Sequence, residues 1–256
     1  MWAPLIRLDT VDSTNSWIKR NPGRLGEFGA VYTTSQTAGR GRLGRSWQND
    51  AGHALYYSCG VRGTLRQPET LPLLASLAVA DAVKAVFGAD CRIKWPNDLL
   101  LNGRKLTGIL CESSGGVWIA GIGVNLAQSR DFFDAAGLPH ATSLAAEGVP
   151  LPPDAADLLA AALTDTFAVR LPDFARTGFA PLRQDYLARC INLGRHVEYD
   201  GGAGQALDVD PEGRLVVRDD ESGEHRIFTG EGSVRGFYGA GCQNSKKCEG
   251  VLPCWI

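Results

Sequence analysis

The chain reads as an α+β protein: a mixed, largely antiparallel sheet with helices packed on it, followed by a small β-barrel. Three observations predict this. Apolar runs of strand length flank an Asn102-Gly103 pair, the mark of a tight hairpin. A broad apolar stripe at helical spacing runs from Thr70 to Phe87. Short strand-like segments crowd the region from Gly194 to about Arg235.

The elements follow in chain order. Ser13 or Thr14 can cap a short helix carrying Trp17 and Ile18, which Asn21-Pro22-Gly23 ends. Ala30 to Thr34 reads as a strand. His53 to Val61 reads as a second, with Leu55, Tyr57 and Cys59 on one face. Leu73, Leu74, Leu77, Ala78, Val79, Ala82, Val83 and Val86 form the helical stripe, and Gly88 closes it. Cys91 to Lys94 is a short strand. Leu99 to Leu101 and Lys105 to Glu112 are the arms of the hairpin, and Val117 to Val124 is the next strand. Two more helices are expected, Ala155 to Arg170 and Phe174 to Leu187. Four short strands then suggest the barrel: His196 to Tyr199, Ala206 to Val209, Leu215 to Asp219 and His225 to Phe228. This divides the chain into a domain at 1–190, a barrel at 191–236 and an irregular tail at 237–256.

The 256 residues are 44% hydrophobic and 21% charged, with a formal net charge of -2, as expected of an ordinary globular protein. That charge argues against duplex DNA as the main partner. The longest apolar run, Leu71 to Phe87, is interrupted by Asp81 and Lys84, and no membrane partner is expected. The N-terminus lacks a basic start followed by an apolar stretch, so the cytoplasm is the expected compartment. Cys59, Cys91, Cys111 and Cys190 read as reduced core thiols, whereas the spacing of Cys242, Cys248 and Cys254 fits no common zinc pattern.

Three segments carry chemistry. Gly39 to Trp47 holds three arginines, and no acid occurs from Thr33 to Asn49. Glycines let backbone approach a ligand, and arginine forks match phosphate and carboxylate. Trp47 can wall off an apolar ligand face. A mobile basic loop or an RNA-binding Gly-Arg stretch reads equally well from composition. Lys94-Trp95-Pro96-Asn97-Asp98 places a lysine at the end of an apolar strand, or simply an exposed lysine in a turn. Gly121-Ile122-Gly123-Val124-Asn125 sets glycines within a strand, as a close approach or a bulge requires, and Asn125 offers an amide to an adenine edge.

Together these segments closely resemble the biotin protein ligase family, over roughly residues 8–235. Asp12-Ser13-Thr14-Asn15 matches its biotin-contact motif. Gln36 and Gly39 to Trp47 match its adenylate loop, and Lys94 to Asp98 its catalytic-lysine motif. Lys105 to Leu110, Gly121 to Asn125, Thr142-Ser143-Leu144 and Gly232 to Arg235 follow in the family's order. The matching part begins by residue 8, which leaves no room for the winged helix-turn-helix of many bacterial members; a monofunctional enzyme without a nucleic-acid partner is expected.

The resemblance implies a class II synthetase-like catalytic domain of the biotin and lipoate ligases with an SH3-like barrel. It implies that biotin and ATP form biotinyl-5′-AMP and pyrophosphate, with Mg²⁺ accompanying ATP and its ligands not identified. Biotin then passes to a lysine on the biotin carboxyl carrier protein of acetyl-CoA carboxylase. As catalytic residues it implies Lys94 and Arg42. The biotin contacts implied are Ser13, Thr14, Asn15, Gln36, Gly39, Arg40, Gly41, Trp47, Lys94, Gly108 and Ile109. The nucleotide contacts implied are Arg40, Arg42, Arg45, Trp47, Lys94, Asn97, Gly123 and Asn125. A lipoate or octanoyl ligase of similar fold is the alternative. Val117 to Asn125 is expected as an edge strand able to pair with a second copy in a homodimer.

Overall fold

The structure is a computed structural model and describes residues 4–48, 50–219, 221 and 223–228. The Gly232 to Arg235 motif and the three tail cysteines lie outside the described residues. The large sheet comprises β1 (Leu5–Arg7), β2 (Phe28–Thr33), β3 (Ala54–Arg62), β4 (Arg92–Lys94), β5 (Asp98–Leu101), β6 (Arg104–Ser114) and β7 (Val117–Asn125). Its order is β1-β2-β3-β7-β6-β5-β4, with β1 parallel to β2 and every other pair antiparallel. Asn102 (φ 48°) and Gly103 (φ 77°) both take the left-handed region that the Asn-Gly turn demands. One expectation fails here. β7 lies between β3 and β6, so both of its ladders are already used and it is not an edge open to a second copy.

The sheet has two working faces. Leu55, Tyr57 and Cys59 of β3 point with Ala120, Ile122 and Val124 of β7 into the main core. That core packs against α2 (Leu71–Phe87) and α4 (Ala155–Thr177). The opposite face carries α1 (Thr14–Arg20), whose Ile18 packs with Leu25, Val31, Val117 and Ile119. Ser13 caps α1 by accepting from the Ser16 amide.

α2 together with the 3₁₀ turn before it (Pro68–Phe87) is long and apolar enough by composition to cross a membrane, yet it is a core helix. Leu74, Ala78 and Ala82 face the main core while Leu73 and Leu77 face a second one. Its Asp81 accepts from Arg170 at 3.1 Å and from Arg189 at 2.7 Å. The helix expected over Phe174 to Leu187 is not one element. Leu159, Leu163, Phe167, Leu171 and Phe174 continue one buried stripe, so α4 runs through Pro172 to Thr177. That burial outweighs the hydrogen bond the proline removes. Gly178, at φ 77°, ends it, and α5 (Arg183–Arg189) follows a short 3₁₀ turn. β1 and α3 (Arg130–Ala135) are further elements beyond those expected, both short, the latter capped by Ser129.

The C-terminal strands β8 (His196–Tyr199), β9 (Gly202–Val209), β10 (Leu215–Arg218) and β11 (Glu224–Ile227) form an antiparallel sheet in the order β11-β10-β9-β8. The expected barrel is not closed among the described residues. Val197, Ala206, Val209 and Leu215 pack with Leu73, Leu77, Ile93 and Trp95, so the small sheet shares the second core with α2 and β4. Gly213 makes the tightest joint: a Cβ there would lie 2.6 Å from Thr70 Cγ2 and 2.8 Å from Leu73 Cδ1, at φ +78°. Gly213→Ala is therefore expected to cost about 1–3 kcal/mol of stability in denaturant melts. An unchanged midpoint and slope would show that the joint yields.

Candidate active site

The site lies on the α1 face of the large sheet. In β7 the residues on that face include Gly121 and Gly123, opposite Ser58 and Tyr56 of β3 and Leu110 and Gly108 of β6. The missing side chains make a slot, and two groups occupy it. The Asn15 amide sits on Gly121. The Trp47 indole lies on the paired glycines: a Cβ on Gly108 would meet its Cζ3 at 2.5 Å, and one on Gly123 its Cε2 at 2.7 Å. The glycines within the strand are thus close-approach positions.

The end nearest α1 is lined by uncharged polar side chains, with a charged cluster beside them. Gln36 Oε1 accepts from the Thr14 amide at 2.9 Å and from Thr14 Oγ1 at 3.3 Å. Ser58 Oγ lies 2.7 Å from Thr14 Oγ1 and 2.6 Å from Asn15 Oδ1. Ser13, Thr14, Asn15, Gln36 and Ser58 are all buried. Gly39 keeps the loop close, because a Cβ would lie 2.8 Å from Gln36 Nε2 and 2.8 Å from the Trp47 carbonyl.

Glu112 anchors this end. It accepts from Lys19 at 2.7 Å, from Asn15 Nδ2 at 2.8 Å and from Arg40 at 3.2 Å. Burial raises its pKa, but the hydrogen bonds from Lys19 and Asn15 and the Arg40 charge outweigh it, and the net shift is downward. A carboxylate held below its ordinary value stabilises the fold above that value and loses the contribution as pH falls through the lowered one. Glu112→Gln is therefore expected to flatten the fall in melting temperature below roughly pH 4.3, the ordinary glutamate value. Parallel acid limbs in the two proteins would refute this.

The other end is cationic. The loop folds on itself through Gly41 N to Arg45 O (2.7 Å) and Trp47 N to Gly39 O (3.0 Å). This directs Arg42 inward, where Nη1 donates to Asn97 Oδ1 at 2.8 Å. Burial lowers the Arg42 pKa, Asp98 opposes that shift and Arg45 adds to it, so all three lie within electrostatic reach. Lys94 ends β4 opposite Asp98 and is 6% exposed, so it is not the exposed turn lysine the sequence also allowed. Trp95 holds the backbone beside it, donating from N to Asn192 Oδ1 (2.8 Å) and from Nε1 to Gly213 O (3.0 Å).

Several residues beyond the expected set border the site. Lys105 Nζ lies 2.8 Å from Asp98 Oδ1 and 5.7 Å from the centre of the Trp47 ring. His140 is held below its ordinary pKa by burial and by the Lys94 charge. Ser58, Glu112 and Gln128 belong to no recognisable motif; the Lys105 segment did, and its lysine was the available signal.

Other expected residues are placed differently from a simple ligand contact. The Ile109 side chain belongs to the main core on the opposite face, and only its backbone, tied to Asn97, borders the site. Arg40 reaches Glu112 and Ser16 rather than Asn97. The Asn125 amide is engaged by protein: Nδ2 donates to Thr142 O at 2.9 Å, and Oδ1 accepts from Gln128 at 3.1 Å. Beside Trp47 a small cavity of about 20 Å³ is lined by Lys105, Asn125, Gln128, Phe132 and Phe133, among others.

Comparison with known proteins finds relatives over most of the chain. The model of the biotin/lipoate A/B protein ligase family matches residues 8–128. The biotin--[acetyl-CoA-carboxylase] ligase of Paracoccus denitrificans is 37% identical over 227 residues, covering 82% of this chain and 92% of that protein. The ligase of the same name from Mycobacterium tuberculosis is 38% identical over 193 residues, covering 71% and 70%. A bifunctional ligase/repressor of Bacillus spizizenii is 33% identical, and the match spans 64% of its length. Among solved structures, the Aquifex aeolicus biotin protein ligase in complex with biotin and ATP superposes with a TM-score of 0.77 at 26% identity, covering 91% of this chain and 99% of that one.

Proposed function

Because the chain belongs to the biotin protein ligase family, we propose that it condenses biotin with ATP to biotinyl-5′-AMP and pyrophosphate, then passes biotin to a lysine of a carrier protein. The acceptor we assign is the biotin carboxyl carrier subunit of acetyl-CoA carboxylase, in line with the names of the relatives. The observation that carries the reading is the division of one slot into a neutral polar end and a cationic end. Thr14, Asn15, Gln36 and Ser58 suit the ureido ring, an uncharged polar group that needs partners when buried. Arg42, Lys94 and Lys105 suit a carboxylate and a phosphate that must meet despite their charges.

In this reading Lys94 bridges the biotin carboxylate and the α-phosphate, and Arg42 grips the phosphate of the intermediate. Lys105, behind Trp47, joins the phosphate side. Trp47 and Phe132 flank the base in the small cavity, which must widen to admit a purine; the partly exposed loop carrying Trp47 is the wall able to move. The same loop excludes water from a mixed anhydride. Mg²⁺ enters on the triphosphate: among the described residues no group of three or more His, Cys, Asp or Glu side chains could hold it alone. We place the reaction in the cytoplasm, which supplies ATP and keeps thiols such as Cys59 and Cys91 reduced.

Incubation with MgATP and labelled biotin, followed by extraction of bound nucleotide, tests the reading. The expected product is biotinyl-AMP, with biotin-dependent pyrophosphate exchange. Exchange driven by lipoate or octanoate and not by biotin would overturn it.

A further inference from the structure

Gln128 is 2% exposed and lines the cavity beside Trp47. Its neighbours fix which end of its amide faces which way. The Thr142 backbone carbonyl can only accept, so the Asn125 group donating to it at 2.9 Å is Nδ2. That leaves Asn125 Oδ1 as an acceptor, so the Gln128 group 3.1 Å from it is Nε2. The order Thr142 O, Asn125, Gln128 is therefore a one-way relay whose free end is the carbonyl Gln128 Oε1. This oxygen is buried and has no hydrogen-bond partner among the described residues. The backbone is pinned as well: Ser143 Oγ donates to Gln128 O at 2.6 Å and accepts from the Ala146 amide at 3.0 Å. The Thr142-Ser143 segment thus holds the relay at both of its residues.

We propose that Gln128 Oε1 selects the base of the nucleotide by accepting a hydrogen bond from an exocyclic amino group, so that a 6-aminopurine is taken and a 6-oxopurine is refused. The inference rests on the nucleotide reading of this cavity and adds to it the group that reads the base. A buried acceptor left without a donor is costly, and a 6-oxo base would set two acceptors against each other. The relay prevents escape by rotation, because flipping the Gln128 amide would turn its oxygen onto Asn125 Oδ1.

The test compares ATP, purine riboside triphosphate (which lacks the amino group) and inosine triphosphate in biotin-dependent pyrophosphate exchange. The wild-type protein should prefer ATP over purine riboside triphosphate by about 10- to 100-fold in kcat/KM, and over inosine triphosphate by at least as much. Gln128→Met should shrink the preference over purine riboside triphosphate to within about threefold. Asn125→Ala frees the Gln128 amide to turn, so the ratio of inosine triphosphate to ATP turnover should rise, which a merely structural role would not produce. Equal wild-type use of ATP and purine riboside triphosphate overturns the proposal even if both variants misfold. Undiminished preference in folded Gln128→Met overturns it too. Failure of every nucleotide to support exchange would instead sink the ligase reading, and this inference with it.

Discussion

Lys94→Ala is expected to lower the rate of biotinyl-adenylate formation by at least about 100-fold, the scale set by removing one preorganised charge from a developing anion. Biotin binding should survive, because the neutral end of the slot is built from Thr14, Gln36 and Ser58, which hydrogen-bond one another. The scaffold explains the size of the effect. Lys94 is the last residue of β4, is 6% exposed, and is followed by Trp95, whose backbone N donates to Asn192 and whose indole donates to Gly213. Its ammonium is therefore positioned before substrate arrives, and little reorganisation is needed in the reaction. A second readout separates charge loss from general damage. His140 is held down by burial and by the Lys94 charge, so its pKa should rise when that charge is removed. Histidine titration followed by NMR, alongside pyrophosphate exchange and biotin binding, checks both parts. Near-normal exchange in the variant would refute the bridging role.

Much of this architecture was legible in the chain because the signals were local. Asn102-Gly103 demands positive φ at both positions whatever surrounds it, and period-two alternation sets the face of Leu55, Tyr57 and Cys59. The loop from Gly39 to Trp47 stood out by three arginines and no acid, although composition alone left a mobile basic stretch equally open. What stayed hidden depends on partners distant in sequence. That Gly108 and Gly123 form one seat for Trp47 follows from the register of β6 against β7, which no spacing within either strand reveals. The same register sends Ile109 to the core and leaves Gly108 and Leu110 on the working face. Glu112 looked like the end of a hairpin arm until Asn15, Lys19 and Arg40 converged on it. The homodimer edge failed for the opposite reason: edge status belongs to sheet order, and β3 returns across some fifty residues of chain to cover β7. The helix boundary at Phe174 failed because the buried stripe of α4 continues through Leu171 and Phe174 past Pro172.

The second large effect is expected from filling the glycine slot. In Gly123→Val the new Cβ would lie 2.7 Å from Trp47 Cε2 and 2.9 Å from Cζ2, before its two methyl groups are added. The sheet itself should tolerate the change, since β-branched residues suit strands and the ladder to β3 and β6 uses only backbone. The indole must therefore give way. Trp47 is tied to Gly39 through its amide, and the same turn sends Arg42 to Asn97, so displacing the ring disturbs the cationic end. An overlap of this kind costs about 1–3 kcal/mol, or roughly 10- to 100-fold in the affinity it is charged against. The nucleotide KM should rise by that factor while the affinity for biotin changes little. Gly121→Val supplies the contrast: its side chain would run into the Asn15 amide, two residues along the same face, and should weaken biotin instead. Opposite phenotypes from glycines one pleat apart would mean that a single strand separates the two substrates. Equal damage to both affinities in both variants would mean that the slot is one undivided cavity.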